Sequence, residues 1–143
     1  MICYIDTSVV LRLIFGEENS FKKIDSFEVI YASSLLKVEA LRAIDRSRLE
    51  GKFSDQEVAR LVQALLEILK YFSEITLEDQ ILRRASESFL TIVGTLDAIH
   101  LASAWMVQKW MVQKDKKNIL TFFTHDVQLK RAAQAMGFET VDI

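Results

Sequence analysis

One cysteine among 143 residues excludes an internal disulfide, and the two histidines beside it are too few for a structural zinc site. Cys3 lies inside an apolar run and reads as a buried structural thiol rather than a nucleophile. Proline is absent altogether, so element ends have to be read from glycines and capping residues. A basic excess is missing too. The formal net charge is −2, so no global field draws the chain to a polyanion, and any nucleic-acid contact needs a local patch or a bound cation. Apolar runs are short and broken by Arg, Lys or Glu, and none approaches the roughly 18 residues of a membrane span. The first six residues carry no basic segment and reach an acid too early for a secretory leader, so a cytoplasmic location with no membrane partner is expected. There is no glycine-rich phosphate loop and no Gly-x-Ser-x-Gly elbow.

Half of the residues are hydrophobic and 27% are charged, which suits one domain, 1–143, with its own core. The only internal echo is Met106-Val107-Gln108-Lys109 recurring at 111–114, too short to be a structural unit. Periodicity and punctuation predict strands at 2–5, 28–32, 73–76, 119–123 and 139–142. They predict helices at 8–15, 34–49, 54–71, from 76 onward, 96–114 and 126–136, with a helical turn near 20–26. Ser54-Asp55-Gln56-Glu57 is a capping box, and Gly51, Gly94 and Gly137 interrupt the pattern. Strands separated by helices imply an α/β fold with a parallel sheet covered on both faces, in which sites form beyond the carboxyl ends of the strands.

That rule makes four acids informative. Asp6 directly follows the first strand, and Asp126 follows the strand at 119–123 by three residues. Asp97 sits in the first turn of its helix. Glu39 falls within the apolar arc of the helix at 34–49, with Lys37, Leu41, Asp45 and Arg48 on the other side. An acid on a core-facing stripe is costly unless it is paired or binds a metal. Each acid has a structural reading as well. Asp6, Asp97 and Asp126 can cap helices, and Glu39 can pair with Arg42 or Arg46. Together, carboxylates at one sheet edge without matching cations repel one another. A divalent cation resolves that conflict, and all-oxygen ligands select Mg²⁺ or Mn²⁺. Such clusters serve phosphoryl chemistry, here hydrolysis of a phosphodiester or a phosphomonoester.

The motifs around these acids resemble a known family. Tyr4-Ile5-Asp6-Thr7-Ser8, Val38-Glu39-Ala40-Leu41-Arg42-Ala43, Thr95-Leu96-Asp97-Ala98-Ile99-His100-Leu101-Ala102-Ser103-Ala104 and Phe123-Thr124-His125-Asp126 resemble, in order and spacing, the motifs of PIN-domain ribonucleases. Across the whole chain the likeness is to the VapC-type toxins of prokaryotic toxin–antitoxin pairs. The resemblance implies a PIN-like three-layer α/β/α fold with a central, mostly parallel sheet of four to five strands. It implies a Mg²⁺- or Mn²⁺-dependent endoribonuclease with Asp6, Glu39, Asp97 and Asp126 as catalytic, metal-binding acids, Asp6 and Asp97 the firmest of them. Thr7, Ser8 and Thr124 would be hydroxyls that orient carboxylates or water. It also implies a homodimer and a cognate antitoxin, with structured RNA cut in a single-stranded loop as substrate. One departure is that Thr95 and Leu96 stand where family members often carry a basic residue.

Several neighbours stay open. His100, one turn after Asp97, reads as a histidine packed near the metal site rather than a general acid. Trp105 and Trp110 read as core or dimer contacts before base-stacking platforms. Arg12, Arg42, Arg46 and Lys130 are candidate phosphate contacts, and Lys114, Lys116 and Lys117 a solvated helix end. The helices at 34–49 and 54–71 are candidates for the dimer contact. Alternatives are a non-toxin PIN nuclease in RNA processing and a catalytically silent PIN-fold binding module. A haloacid-type phosphatase is disfavoured because Ser8 stands where it needs an acid. A phospho-acceptor receiver domain lacks its adjacent acids near the first strand and its lysine after the last.

Overall fold

The computed structural model describes residues 1–16 and 24–141. The helical turn expected at 20–26 falls largely outside them, as does the end of the strand expected at 139–142. Five strands form one all-parallel sheet: β1 (Ile2–Ile5), β2 (Val29–Ser33), β3 (Ser73–Ile75), β4 (Thr121–Phe123) and β5 (Glu139–Thr140). The helices are α1 (Thr7–Ile14), α2 (Leu35–Leu49), α3 (Asp55–Leu69), α4 (Asp79–Ala85), α5 (Thr95–Lys114) and α6 (Val127–Ala135). No helix among the described residues is long and apolar enough to cross a membrane.

The strand order is β3-β2-β1-β4-β5. The chain therefore builds outward from β1 to β3 on one side, then crosses back to lay β4 and β5 on the other. β1 and β4 flank the point where the winding reverses. In parallel α/β sheets, the crevice outside the strand ends at that point is the natural ligand position.

Alternation along the strands feeds two cores. Tyr4 and Phe122, paired across the β1–β4 ladder, point to the side covered by α4, α5 and α6, where Leu101, Val107, Leu120, Leu129 and Ala133 are buried. Cys3, Ile5, Ile30, Ala32 and Phe123 point to the side covered by α1, α2 and α3, against Val9, Val10, Leu36, Ile44 and Leu65. The result is the three-layer α/β/α arrangement. The Tyr4 and Phe122 rings stack with centroids 5.3 Å apart, and burying side chains of this size stabilises by about 1.5–3 kcal/mol each.

Element ends follow local chemistry. Ser54 and Glu57 close the expected capping box at the start of α3: Ser54 Oγ accepts from the Glu57 amide, and Glu57 accepts from the Ser54 amide. Gly137 ends α6 with φ 92°, a conformation that favours glycine. Two expected starts shift. The helix expected from Thr76 begins at Asp79, because Ile75 completes β3 and Leu77 packs into the core while the chain is still extended. The strand expected from Ile119 begins at Thr121, because the Leu120 amide is taken by Gln108 Oε1 at 2.8 Å. Leu41, expected on the polar side of α2, instead packs against the α1–α3 core.

Candidate active site

The β1–β4 ladder is extended past its last strand residues by the Asp6 amide, which donates to the Phe123 carbonyl at 3.4 Å. Asp6 is thereby fixed at the carboxyl edge of the central strand, and only 6% of it is exposed. Its side chain makes no capping bond to α1. Instead Ser8 Oγ donates to Asp6 Oδ1 at 2.6 Å. Ser8 in turn lies 3.3 Å from Thr124 Oγ1 and accepts from the His125 amide at 2.9 Å. Thr124 Oγ1 accepts from the Asp126 amide at 3.0 Å. One chain of hydroxyls thus ties the β1–α1 corner to the β4–α6 corner.

Asp126 caps α6, as its structural reading anticipated: Oδ1 accepts from the Leu129 amide at 3.0 Å. Asp97 lies in the first turn of α5, whose N-cap is Gly94. Glu39 approaches from α2, half-buried between Leu36 and Ala40, which are fully buried. It does not pair with Arg42, which reaches Asp45 instead. Its Oε1 accepts from Thr7 Oγ1 at 2.8 Å and meets His100 Nε2 at 2.5 Å. On the far side of the ring, the Tyr4 hydroxyl lies 2.7 Å from His100 Nδ1. Both ring nitrogens of His100 and the Tyr4 hydroxyl thus have a partner. His100 is therefore a buried bridge, 2% exposed.

Sequence reasoning placed His100 near the acids but did not find this Tyr4–His100–Glu39 relay. The signals were present. Tyr4 is a phenol in the middle of a buried strand and needs a partner for its hydroxyl. His100, three residues after Asp97, shares that acid's face of α5.

The electrostatics of the cluster are those of crowded acids. Burial pushes the Asp6 carboxyl up to about 6, with the charge of Asp97 adding to the rise and the Ser8 hydroxyl opposing it. Burial, then Asp126 and Glu39, raise Asp97. Burial also acts to raise Glu39, but His100 and the Thr7 hydroxyl outweigh it and hold that carboxyl below its usual value. Desolvation pushes the Cys3 thiol up to about 12, which agrees with an inert buried cysteine.

Among the described residues no group of three or more His, Cys, Asp and Glu side chains is gathered closely enough to hold a metal ion. The donor chemistry still fits a hard divalent cation. It consists of carboxylates backed by hydroxyls, and its most buried member, Asp6, makes no ion pair among the described residues. Trp105 packs against the α4–α6 core with Lys109 over its ring, and Trp110 is 40% exposed.

Known proteins share this fold. A family model described as PIN domain matches residues 3–135. The crystal structure of FitAcB from Neisseria gonorrhoeae is similar at a TM-score of 0.74 and 17% identity, covering 99% of this chain and 97% of that one. VapBC2 from Rickettsia felis, bound to a DNA fragment from its promoter, is similar at 0.62 and 16% identity, covering 99% and 98%. VapBC-1 from nontypeable Haemophilus influenzae is similar at 0.64 and 10% identity, covering 99% and 98%. No curated protein sequence matches the chain.

Proposed function

This chain belongs to the PIN domain family, and from that premise we propose that it is a Mg²⁺- or Mn²⁺-dependent endoribonuclease, the toxin of a toxin–antitoxin pair. What supports the reading is that Asp6 and Asp126 follow the carboxyl ends of β1 and β4, where the winding reverses, and that Asp97 raises Asp6 while Asp126 and Glu39 raise Asp97. The likeness to FitAcB and VapBC structures supports the toxin assignment with a cognate antitoxin as protein partner, and the family resemblance adds a homodimer as the proposed assembly.

Asp6 and Asp97 are the firmest ligands for the cation, with Asp126 and Glu39 completing the acidic set. When bound there, a divalent cation supplies Lewis acidity, lowering the pKa of water and neutralising charge on the phosphate. The chain's own residues do the rest. Ser8 holds the Asp6 carboxylate in one rotamer, and Thr7 and His100 do the same for Glu39. Glu39 is kept ionised by those contacts, so it is ready to accept a hydrogen bond from an attacking water. Burial of Asp6 raises the value of any positive charge brought to it. Hydrolysis proceeds by in-line attack of water, with no covalent enzyme intermediate.

The test is incubation of the purified protein with total cellular RNA and Mg²⁺ or Mn²⁺, beside Asp6→Asn, Asp97→Asn and a chelator control. Discrete fragments that vanish in all three controls are expected. Cleavage that survives both substitutions would remove these acids from the mechanism.

A further inference from the structure

With a net charge of −2, the protein holds a polyanion only where its cations gather. On the side of the sheet covered by α4, α5 and α6, three cavities follow one seam. The first, of 80 Å³, opens beside Asp97, between Ile92 and Val93 on the loop before α5 and Leu129 and Ala132 on α6. The second, of 400 Å³, continues between the same loop and helix, walled by Phe89, Leu90 and Met136, with Trp105 from α5. The third, of 250 Å³, shares Arg84 and Trp105 with the second and adds Arg83, Glu87 and Lys109. From Asp97 to Lys109 the seam follows about 18 Å of helix. The cations at its far end are held in place. The Arg84 guanidinium sits 4.4 Å from the centre of the Phe89 ring, and its Nη1 donates to the Ser88 carbonyl at 3.3 Å. Lys109 Nζ sits 4.5 Å from the centre of the Trp105 ring. Arg83 beside them is exposed. The acid on this third wall, Glu87, is 3.9 Å from Arg84, at the outer limit of an ion pair, and leaves the group net cationic.

We propose that this seam is the track of the RNA strand leading away from the acids, with its backbone bound at the far end by Arg83, Arg84 and Lys109. The inference rests on the ribonuclease reading and deepens it by assigning where the uncut part of the strand lies. Charge complementarity and continuity carry it. The seam starts at Asp97, an acid of the proposed reaction, and ends on three cations in a protein that is acidic overall. That continuity makes the substrate, rather than an acidic protein segment, its occupant. Arg84 and Lys109 already rest on aromatic rings, so little side-chain freedom remains to be lost when a phosphate arrives. The 400 Å³ cavity between them and Asp97 is of a size that takes a small ligand, about 300–1,000 Å³, and admits one base turned out beside Trp105. The cationic end holds the backbone without reading sequence.

The experiment is binding of a labelled short single-stranded RNA to the full chain in chelator, across about 50 to 200 mM salt. Arg83→Ala and Lys109→Ala are each expected to weaken binding roughly threefold at low salt and to flatten the log–log salt slope by about 0.7, the signature of one lost single-strand phosphate contact. Glu87→Gln should tighten binding, a change of the opposite sign that a damaged fold would not give. Lys52→Ala, between α2 and α3 on the other side of the sheet, should change neither affinity nor slope. Unaltered affinity and slope in Arg83→Ala and Lys109→Ala, or an equal change in Lys52→Ala, overturns the track. A labelled poly-glutamate peptide is titrated alongside. Peptide binding that falls in both variants while RNA binding stays fixed gives the groove to an acidic protein segment and also overturns it. The outcomes separate from those of the nuclease test. A wild type that cleaves RNA while the slopes stay fixed keeps the enzyme and loses the track. Slope changes in a protein that never cleaves keep the track and lose the enzyme.

Discussion

Asp6 is 6% exposed and its carboxyl is pushed up to about 6 chiefly by burial, so ionising it works against the fold. Between the ordinary carboxylate value and about 6, the folded state binds this proton more tightly than the unfolded chain does. The contribution of Asp6 to stability therefore falls as pH rises through that window and is flat above it. The cost at neutral pH is on the order of 2–3 kcal/mol. Asp6→Asn is accordingly expected to raise the metal-free melting midpoint at pH 7.5, an advantage that shrinks as the pH is lowered toward 4. A midpoint at or below that of the wild type at pH 7.5 would contradict it. The same substitution is expected to abolish cleavage, so stability and activity should move in opposite directions at one side chain. The Tyr4–His100–Glu39 relay makes a second residue-scale prediction. Tyr4→Phe keeps the stacked ring and removes only the hydroxyl bonded to Nδ1. It should cost about 1 kcal/mol in denaturant titration, and it should lower kcat with KM little changed, because Glu39 loses orientation rather than RNA contact. A KM effect with kcat intact would place the relay outside the chemistry.

At the scale of elements, Asp126 serves two ends. Its Oδ1 caps α6 while its charge raises Asp97 across the crevice. Asn is as good a cap as Asp and Ala is not. Asp126→Asn should therefore melt close to the wild type, and Asp126→Ala should lose about 1 kcal/mol, while both lose cleavage. Equal melting of the two variants would show that the cap carries no stability. This double duty also bears on what could be read in advance. The apolar strand before Asp6, the capping box at Ser54 and the acid on the apolar stripe of α2 are local signals, and each stands where periodicity puts it. What lay out of reach depends on partners distant in the chain. The Leu120 amide goes to a glutamine on α5, Leu77 is pulled into a core built by later helices, and the Tyr4 hydroxyl finds a ring 96 residues away. The acids were legible because sheet edges follow from strand order. The family resemblance also pointed to the hydroxyls of Thr7, Ser8 and Thr124, but the Tyr4–His100–Glu39 relay was out of reach, because hydrogen bonds between layers leave no period in a sequence.

For the molecule as a whole, the proposed cation site predicts that the folded state binds a divalent cation better than the unfolded chain does, and binding to the folded state alone adds stability by mass action. Mg²⁺ or Mn²⁺ should raise the melting midpoint of the wild type, by an amount equivalent to about 2.7 kcal/mol at a hundred times the dissociation constant. The shift should disappear in Asp97→Asn and on chelation; a shift that persists in Asp97→Asn would mean the cation binds elsewhere. The strand order has one more consequence, and it concerns time. Ser8 meets Thr124 and the His125 amide 116 and 117 positions further along the chain, so the two corners of the site are made far apart in synthesis. At about 5–20 residues per second, a growing chain spends many seconds with Asp6 and Ser8 made and their β4 neighbours still to come. On the proposed function, cleavage by a nascent copy would wait until Thr124, His125 and Asp126 have emerged. The interval between first strand and finished site is a grace period, in which a partner made nearby can already be waiting.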